Sequence, residues 1–311
     1  MTEFNFKRPA LLRTGSRIAL IAPAGPVTEE RVAASVARCH ALGLSAVVGA
    51  HAQLRTGYLA GGDAARADDV MWAFGAPDID AVWALRGGYG TMRLHDLLDF
   101  DAIAAARRPY IGFSDNTYMH LMMASRGLTS FHAPHPGADF PPETEQAFVQ
   151  VLFGAGAAGA LPLRSTDVPP ATLRGGRAYG PLIGGNLSLL AATCGTPAQM
   201  RAEGCIVFME DVGEPAYRVD RCLMQLELSG ALAGVRGFAF GRFTEIPEDG
   251  SEEEMMQVLA AVADKYGAPA AVNFPIGHIE HNWTLPVGVP AQLDADAGTL
   301  ELLEPATAAL R

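Results

Sequence analysis

The sequence predicts an α/β protein: an N-terminal domain on a parallel, Rossmann-like sheet, followed by a smaller mixed α/β C-terminal domain. Three observations carry this. Up to about residue 154, short apolar runs alternate with amphipathic helical patterns, as βα units around a parallel sheet require. The composition then shifts to Gly, Ala, Pro and Thr with weak periodicity, so 155–178 reads as a linker. Beyond it, strands and helices resume and end in short alternating pieces over 286–303 that read as β-structure. The division is therefore 1–154, 155–178 and 179–311, matching the two domains expected of 311 residues at roughly 100 to 200 residues each.

The first strand is expected over 18–22 and is followed by the turn Pro23-Ala24-Gly25-Pro26. Thr28 is placed to cap a helix with Glu29 and Glu30 in its first turn; Val32, Val36 and Cys39 recur at helical spacing until Gly43. Further strands are expected over 44–48, 79–85 and 110–113, separated by helices over 63–74, 91–98 and 116–126. In the second half, 205–209 and 235–240 read as strands, and Ser251 to Glu254 forms a capping box opening a helix that Gly267 ends.

Composition excludes several function classes. At 49% hydrophobic and 18% charged the chain can bury a large core, while 23 Lys and Arg against 34 Asp and Glu leave a net charge of -11. Without a basic run, nucleic acid is not an expected partner. Cys39, Cys194, Cys205 and Cys222 have no C-x-x-C spacing and read as free thiols of a reducing compartment. The first residues lack a signal-peptide apolar stretch and no segment has the length of a membrane span, so the cytoplasm is the expected location.

The chemistry concentrates at residues 109–117, where an apolar run stops at Ser114 and a helical pattern follows. Such a junction pushes a hydroxyl out beside a helix start, whose free N–H groups favour negative charge. It matches the hydrolase elbow G-x-S-x-G only in part, since Asn116 replaces the second glycine; the plain alternative is that Ser114 or Asp115 caps the helix. For a base, His40, His51 and His95 lie in packing or surface positions and His120 points away from the helix start, whereas His132, His135, His278 and His281 fall in Pro/Gly-rich loops. His278 and His281 also invite a metal reading, but no third ligand is evident. For a carboxylate, residues 205–209 run into Glu210 and Asp211 at a strand's carboxyl end, the ligand edge of an α/β sheet; a solvated terminus is the alternative. Arg86-Gly87-Gly88-Tyr89-Gly90 follows a strand, and its glycines suit backbone N–H groups approaching an anion, although a tight turn explains them too.

Together these stretches resemble the LD-carboxypeptidase family of serine peptidases. The resemblance runs from 21–26 through 57–61 with Asp63, 86–90, 112–115, 184–187, 210–214 with Tyr217 and Arg218, to Gly277, His278, Asn282, Leu285, Pro286 and Gly288. It implies Ser114 as nucleophile, His278 as base and Glu210 as the acid orienting it, with the backbone N–H groups of Gly88 and Asp115 as oxyanion donors and the site where the domains meet. It further implies a small peptide or muropeptide substrate, cleaved to release terminal D-alanine, with no metal or cofactor, and a homodimer. Arg86, Tyr89, Asn186, Tyr217 and Arg218 are the implied substrate contacts, and Arg86, Arg93 and Arg218 the candidates for a substrate carboxylate. Asn116, Tyr118 and Ala133 depart from the family pattern and are expected at the pocket wall. The alternatives are a microcin C type peptidase acting on aminoacyl-nucleotide amides, and a non-catalytic peptide- or sugar-binding module. The microcin reading expects an aromatic residue near the linker, and 154–178 contains no Trp, Phe or Tyr.

Overall fold

A computed structural model describes residues 6–247 and 251–309. In the first half, β1 (Arg17–Ile21), β2 (Ser45–Val48), β3 (Ala81–Ala84), β4 (Tyr110–Gly112) and β5 (Ser130–His132) form a parallel sheet in the order β2-β1-β3-β4-β5. The chain then builds a second sheet from β6 (Gly159–Ala160), β7 (Ala171–Arg174), β8 (Arg177–Asn186), β9 (Ile206–Val212), β10 (Gly237–Thr244) and β11 (Ala270–Val272). It returns once: β12 (Leu285–Val287) pairs antiparallel with β5 on the edge of the first sheet. Finally β13 (Pro290–Asp294) and β14 (Thr299–Leu302) complete the second sheet in the order β6-β14-β13-β8-β9-β10-β11-β7, with β8 to β11 parallel. Among the described residues, eight α-helices cover these sheets: α1 (Glu29–Ala41), α2 (Asp63–Gly75), α3 (Phe100–Ala106), α4 (Thr117–Ala124), α5 (Pro142–Leu152), α6 (Leu187–Ala192), α7 (Ala216–Leu228) and α8 (Glu252–Tyr266).

Local signals explain much of this. The Thr28 hydroxyl accepts the Arg31 N–H at 3.3 Å to open α1, whose buried Val32, Ser35 and Cys39 face the sheet. Ser251 caps α8 by accepting the Glu254 N–H at 3.0 Å, and Gly267 ends it with φ +62°. Central strands are apolar on both faces: Ile18 to Ile21 and Val82 to Ala84 are fully buried, as a sheet covered on both sides demands.

Some expectations are corrected. Residues 155–178, read as a linker, supply both edge strands of the second sheet, β6 and β7. The helix expected over 91–98 is a 3-10 helix, Thr91–Leu97. Its start is pinned sideways, because the Thr91 N–H donates to Asp115 Oδ2 at 2.8 Å and its hydroxyl to the Asp115 carbonyl at 2.6 Å. His132 lies in β5 rather than in a loop, paired with Leu285. Helix α5 lies outside the expected elements; Pro142 opens its first turn ahead of buried Ala147, Phe148, Val151 and Leu152. Among the described residues, no helix is long and apolar enough to cross a membrane.

The carboxyl edges of the parallel strands face one another. The Asn186 N–H, at the end of β8, donates to Thr117 Oγ1 at the start of α4, at 3.0 Å. The His132 ring of β5 packs edge-on against Phe208 of β9, 5.2 Å between centroids. The loops leaving both sheets therefore meet here.

Candidate active site

The strand order β2-β1-β3-β4-β5 reverses direction between β1 and β3, and ligands of open α/β sheets bind outside the strand carboxyl ends at such a point. Here the turns after β1 and β3 touch, with the Gly25 N–H donating to the Gly87 carbonyl at 3.1 Å. Ser114 leaves β4 beside them in the left-handed conformation, φ +61°. A non-glycine residue held there costs on the order of 1–3 kcal/mol, sustained only where the surroundings over-determine it.

The surroundings do so. Asn116, fully buried, accepts from the Tyr110 hydroxyl and donates to the carbonyls of Phe113 at 3.0 Å and Arg86 at 3.3 Å, joining the nucleophile turn to the glycine turn. Buried His120 bridges the Gly112 carbonyl at 2.8 Å and Ser130 Oγ at 2.9 Å, so it supports the end of β4 rather than pointing away from it. Burial pushes His120 down to about 4, which keeps it a neutral strut. Gly112 leaves little room for a side chain, since a Cβ there would sit 3.1 Å from both Ala84 Cβ and Asn116 Cγ. Tyr118 is buried with its hydroxyl against His95, and Ala133 is fully buried. Thus Asn116, Tyr118 and Ala133 belong to the supporting core and not to the pocket wall.

From the second sheet come the other two groups. Glu210 lies within the buried run of β9, which continues to Asp211, and is itself fully buried, so it is no solvated terminus. Its Oε2 accepts from His278 Nδ1 at 2.8 Å, and His278 Nε2 lies 3.1 Å from Ser114 Oγ. Burial raises the Glu210 carboxyl above its usual range, against the pull of His278. Burial also opposes the His278 imidazolium, but the hydrogen bond and charge of Glu210, with Asp211 and Glu245, outweigh it and raise His278 above its ordinary value. Phe113 closes one side of this imidazole, 4.9 Å between ring centroids. A serine hydroxyl, an imidazole and a carboxylate linked in this order have the geometry that suits a nucleophile, a general base and its orienting group.

The remaining residues named from the sequence divide. The Asp115 N–H opens the turn beside Ser114, where no residue upstream within the turn can accept it. The glycine turn leaves space against the nucleophile: a Cβ on Gly87 would lie 3.0 Å from Ser114 Oγ and 3.2 Å from the Asp115 nitrogen. Gly88 follows Gly87 in this turn, and Tyr89 is exposed, edge-on to Tyr58 at 5.7 Å. Asn186 is not a substrate contact: it is buried, its amide donates to Asp211 Oδ1 at 2.8 Å and its oxygen caps α6 at Leu189. Asp211 also accepts from Ser188 N and Oγ at 2.9 and 2.7 Å, so Asn186 and Asp211 brace the strand end carrying Glu210. Tyr217 lines a groove between α7 and α8 that contains none of the triad, and Arg218 pairs with Glu214 at 3.4 Å. Arg93 is committed to Asp63 through two bonds of 2.9 and 2.6 Å.

His278 and His281 do not converge on a metal. His281 Nδ1 turns to Asp167 Oδ2 at 2.6 Å, and among the described residues no group of three or more His, Cys, Asp or Glu side chains could hold one. That Asp167–His281 pair was missed in the sequence. With Arg164 to Glu280 at 3.0 Å and Trp283 Nε1 to the Pro162 carbonyl at 2.6 Å, it ties residues 162–167 to the loop bearing His278. The isolated Thr166-Asp167 in a Pro-rich stretch offered no local signal for it.

Comparison with known proteins agrees with this architecture. The models of the LD-carboxypeptidase N-terminal and C-terminal domains match residues 18–133 and 179–293. A Streptomyces coelicolor protein with an inferred carboxypeptidase name is 42% identical, covering 96% of this chain and 97% of its own. The murein tetrapeptide carboxypeptidase of Pseudomonas aeruginosa is 34% identical over 90% of this chain and 94% of its own. The structure of MccF in complex with glutamyl sulfamoyl guanosine superposes with a TM-score of 0.87 at 25% identity, covering 97% of this chain and 99% of that one. With two domain models in order and a close relative along nearly its whole length, the chain belongs to the LD-carboxypeptidase family and is a peptidase.

Proposed function

We propose that this protein is a serine LD-carboxypeptidase that releases terminal D-alanine from a murein tetrapeptide by cleaving the amide between the L-centre of the diamino acid and that residue. The observation that carries the proposal is the hydrogen-bonded line from Ser114 Oγ through His278 to fully buried Glu210. The name and 34% identity of the Pseudomonas relative support the substrate class.

In this reading Ser114 Oγ attacks the amide carbonyl while His278 Nε2 takes its proton. The oxygen of the tetrahedral adduct accepts from the Asp115 and Gly88 N–H groups in the space left beside Gly87. Collapse expels the D-alanine amine, which His278 Nε2 protonates, and leaves an ester on Ser114. Water then attacks the ester, giving its proton to His278, which passes it to Ser114 Oγ as the shortened peptide leaves. Glu210 holds the imidazole in the tautomer that presents Nε2 to the serine and balances its charge during both steps. The four free cysteines support a reducing compartment, as cytosolic recycling of wall peptides requires.

The test is D-alanine release from a purified murein tetrapeptide by wild type and Ser114→Ala, with chelator throughout. Release by wild type alone is the expected result. Failure on the tetrapeptide, with hydrolysis of an aminoacyl-sulfamoyl nucleotide, would move the protein to the microcin branch. Failure on both would leave the binding-module reading.

A further inference from the structure

We infer that Arg31 and Arg86 together bind the free α-carboxylate of the leaving D-amino acid, and so make the enzyme an exopeptidase; this rests on the proposed function. Both side chains stand at the carboxyl end of β3. Arg31 Nε donates to the Leu85 carbonyl at 3.2 Å, and the first terminal nitrogen of Arg86 donates to the Pro26 carbonyl at 3.0 Å. The Arg86 fork lies against the glycine turn: a Cβ on Gly25 would be 3.2 Å from its Nε, and one on Gly88 3.6 Å from its second terminal nitrogen. The other side of the same turn faces the nucleophile, since a Cβ on Gly87 would be 2.8 Å from Ser114 Cβ. The glycine turn therefore lies between the Arg86 fork and Ser114. The carboxylate of the leaving residue stands about one residue length, ~3.8 Å, beyond the scissile bond.

Charge points the same way. Among the described residues, Arg31 and Arg86 take part in none of the ion pairs, whereas Arg93 pairs with Asp63 and Arg218 with Glu214. Each uses one N–H on a carbonyl, so most of its five donors remain available. Both are half-buried, and burial together with the neighbouring Arg86 charge holds Arg31 below its ordinary value. His135, whose Nδ1 donates to the Ala84 carbonyl at 3.1 Å, is held neutral by burial, down to about 3. Two like charges brought together without a carboxylate, in a chain of net charge -11, lack only an anion. A planar carboxylate fits a guanidinium fork through two parallel bonds. Arg31, in the first turn of α1, carried no motif that marked it in the sequence.

The experiment compares kcat/KM for a tetrapeptide ending in D-alanine with that for the same peptide ending in D-alaninamide. Wild type is expected to favour the acid by about 10²-fold, the worth of hydrogen bonds to a charged group. Arg86→Gln and Arg31→Gln should each lower that ratio by at least about tenfold, through KM more than kcat. If Arg86→Gln does not fold, Arg86→Lys, which keeps the charge and loses the fork, should still lower it. A wild type indifferent to amidation, or a ratio unchanged in the arginine variants, overturns the inference while leaving the peptidase in place. Absence of release from either peptide removes the proposed function, and this inference with it.

Discussion

The two halves of the active site are held by different means. Around the nucleophile, the contacts that fix Ser114 come chiefly from close along the chain: Tyr110 to Asn116, Asn116 to Phe113, and His120 to Gly112 and Ser130. Around the base, they come from far away, with Glu210 and His278 68 positions apart and Asp167 and His281 114 apart. Ser114 is therefore set by one strand–turn–helix unit and His278 by the assembly of the second sheet. A single substitution near Ser114 should act on one local geometry, while one near His278 should loosen a loop.

The largest effect expected is chemical. Ser114→Ala should lower kcat on the order of 10⁶-fold, the loss found when a triad nucleophile is removed, with His278→Ala close behind. The urea midpoint should move little, because the Ser114 hydroxyl fills no core position. An unchanged turnover in Ser114→Ala would sink the whole assignment. Gly87→Ala comes next. Its Cβ would stand 3.0 Å from Ser114 Oγ and intrude where the oxyanion must sit. A fall in kcat of about 10²- to 10³-fold, with KM nearly kept, is expected if this space holds the oxyanion. A loss confined to KM would say instead that it holds ground-state substrate.

The same contrast decides what could be read in the sequence. The elbow was legible because its parts are contiguous: an apolar run, a glycine, a serine and a helix start within residues 109–117. Glu210 and His278 could each be shortlisted, one at a strand end and one in a Gly-rich loop, but their pairing rested on family resemblance, since no local rule joins positions 68 apart. The same limit explains Asn186, read as a substrate contact although its amide is spent on Asp211, and Asp167, which was not read at all. It also explains the segment 155–178: edge strands with little apolar surface to bury resemble linker, and only their pairing with β14 and β11 reveals them.

Asp167→Ala tests the long-range half directly. It strands fully buried His281, whose Nδ1 would lose its partner, at a cost of about 1–3 kcal/mol. The loop bearing His278 should then sample wrong geometries, and a 1 Å misplacement costs up to about 10²-fold in rate. Asp167→Asn, which can still hydrogen-bond, should restore much of kcat. A fall in stability with kcat intact would make the tie purely structural.

The smallest and most diagnostic effect is pH dependence, where the two halves should respond in opposite windows. His278 is raised above its ordinary 6.5, and it must be neutral to act as base, so kcat/KM should rise with pH through a limb above 6.5. The stability that its pairing with Glu210 adds is fully present below 6.5 and is lost as pH rises through that same limb. In the nucleophile half the sign reverses. His120, pushed by burial down to about 4, is neutral when folded and takes up a proton when unfolded. Its contribution is present above about 6.5 and is lost, at about 1.4 kcal/mol per pH unit, as pH falls towards 4. Urea midpoints between pH 4 and 9 should thus decline on the acid side through the nucleophile half and soften on the alkaline side through the base half. His120→Asn should lessen the acid slope, to which buried His132 and His135 also contribute, without moving the activity limb, and Asp167→Ala should lower the plateau of kcat/KM without moving that limb. A single variant that moves both profiles together would show that the two halves behave as one unit.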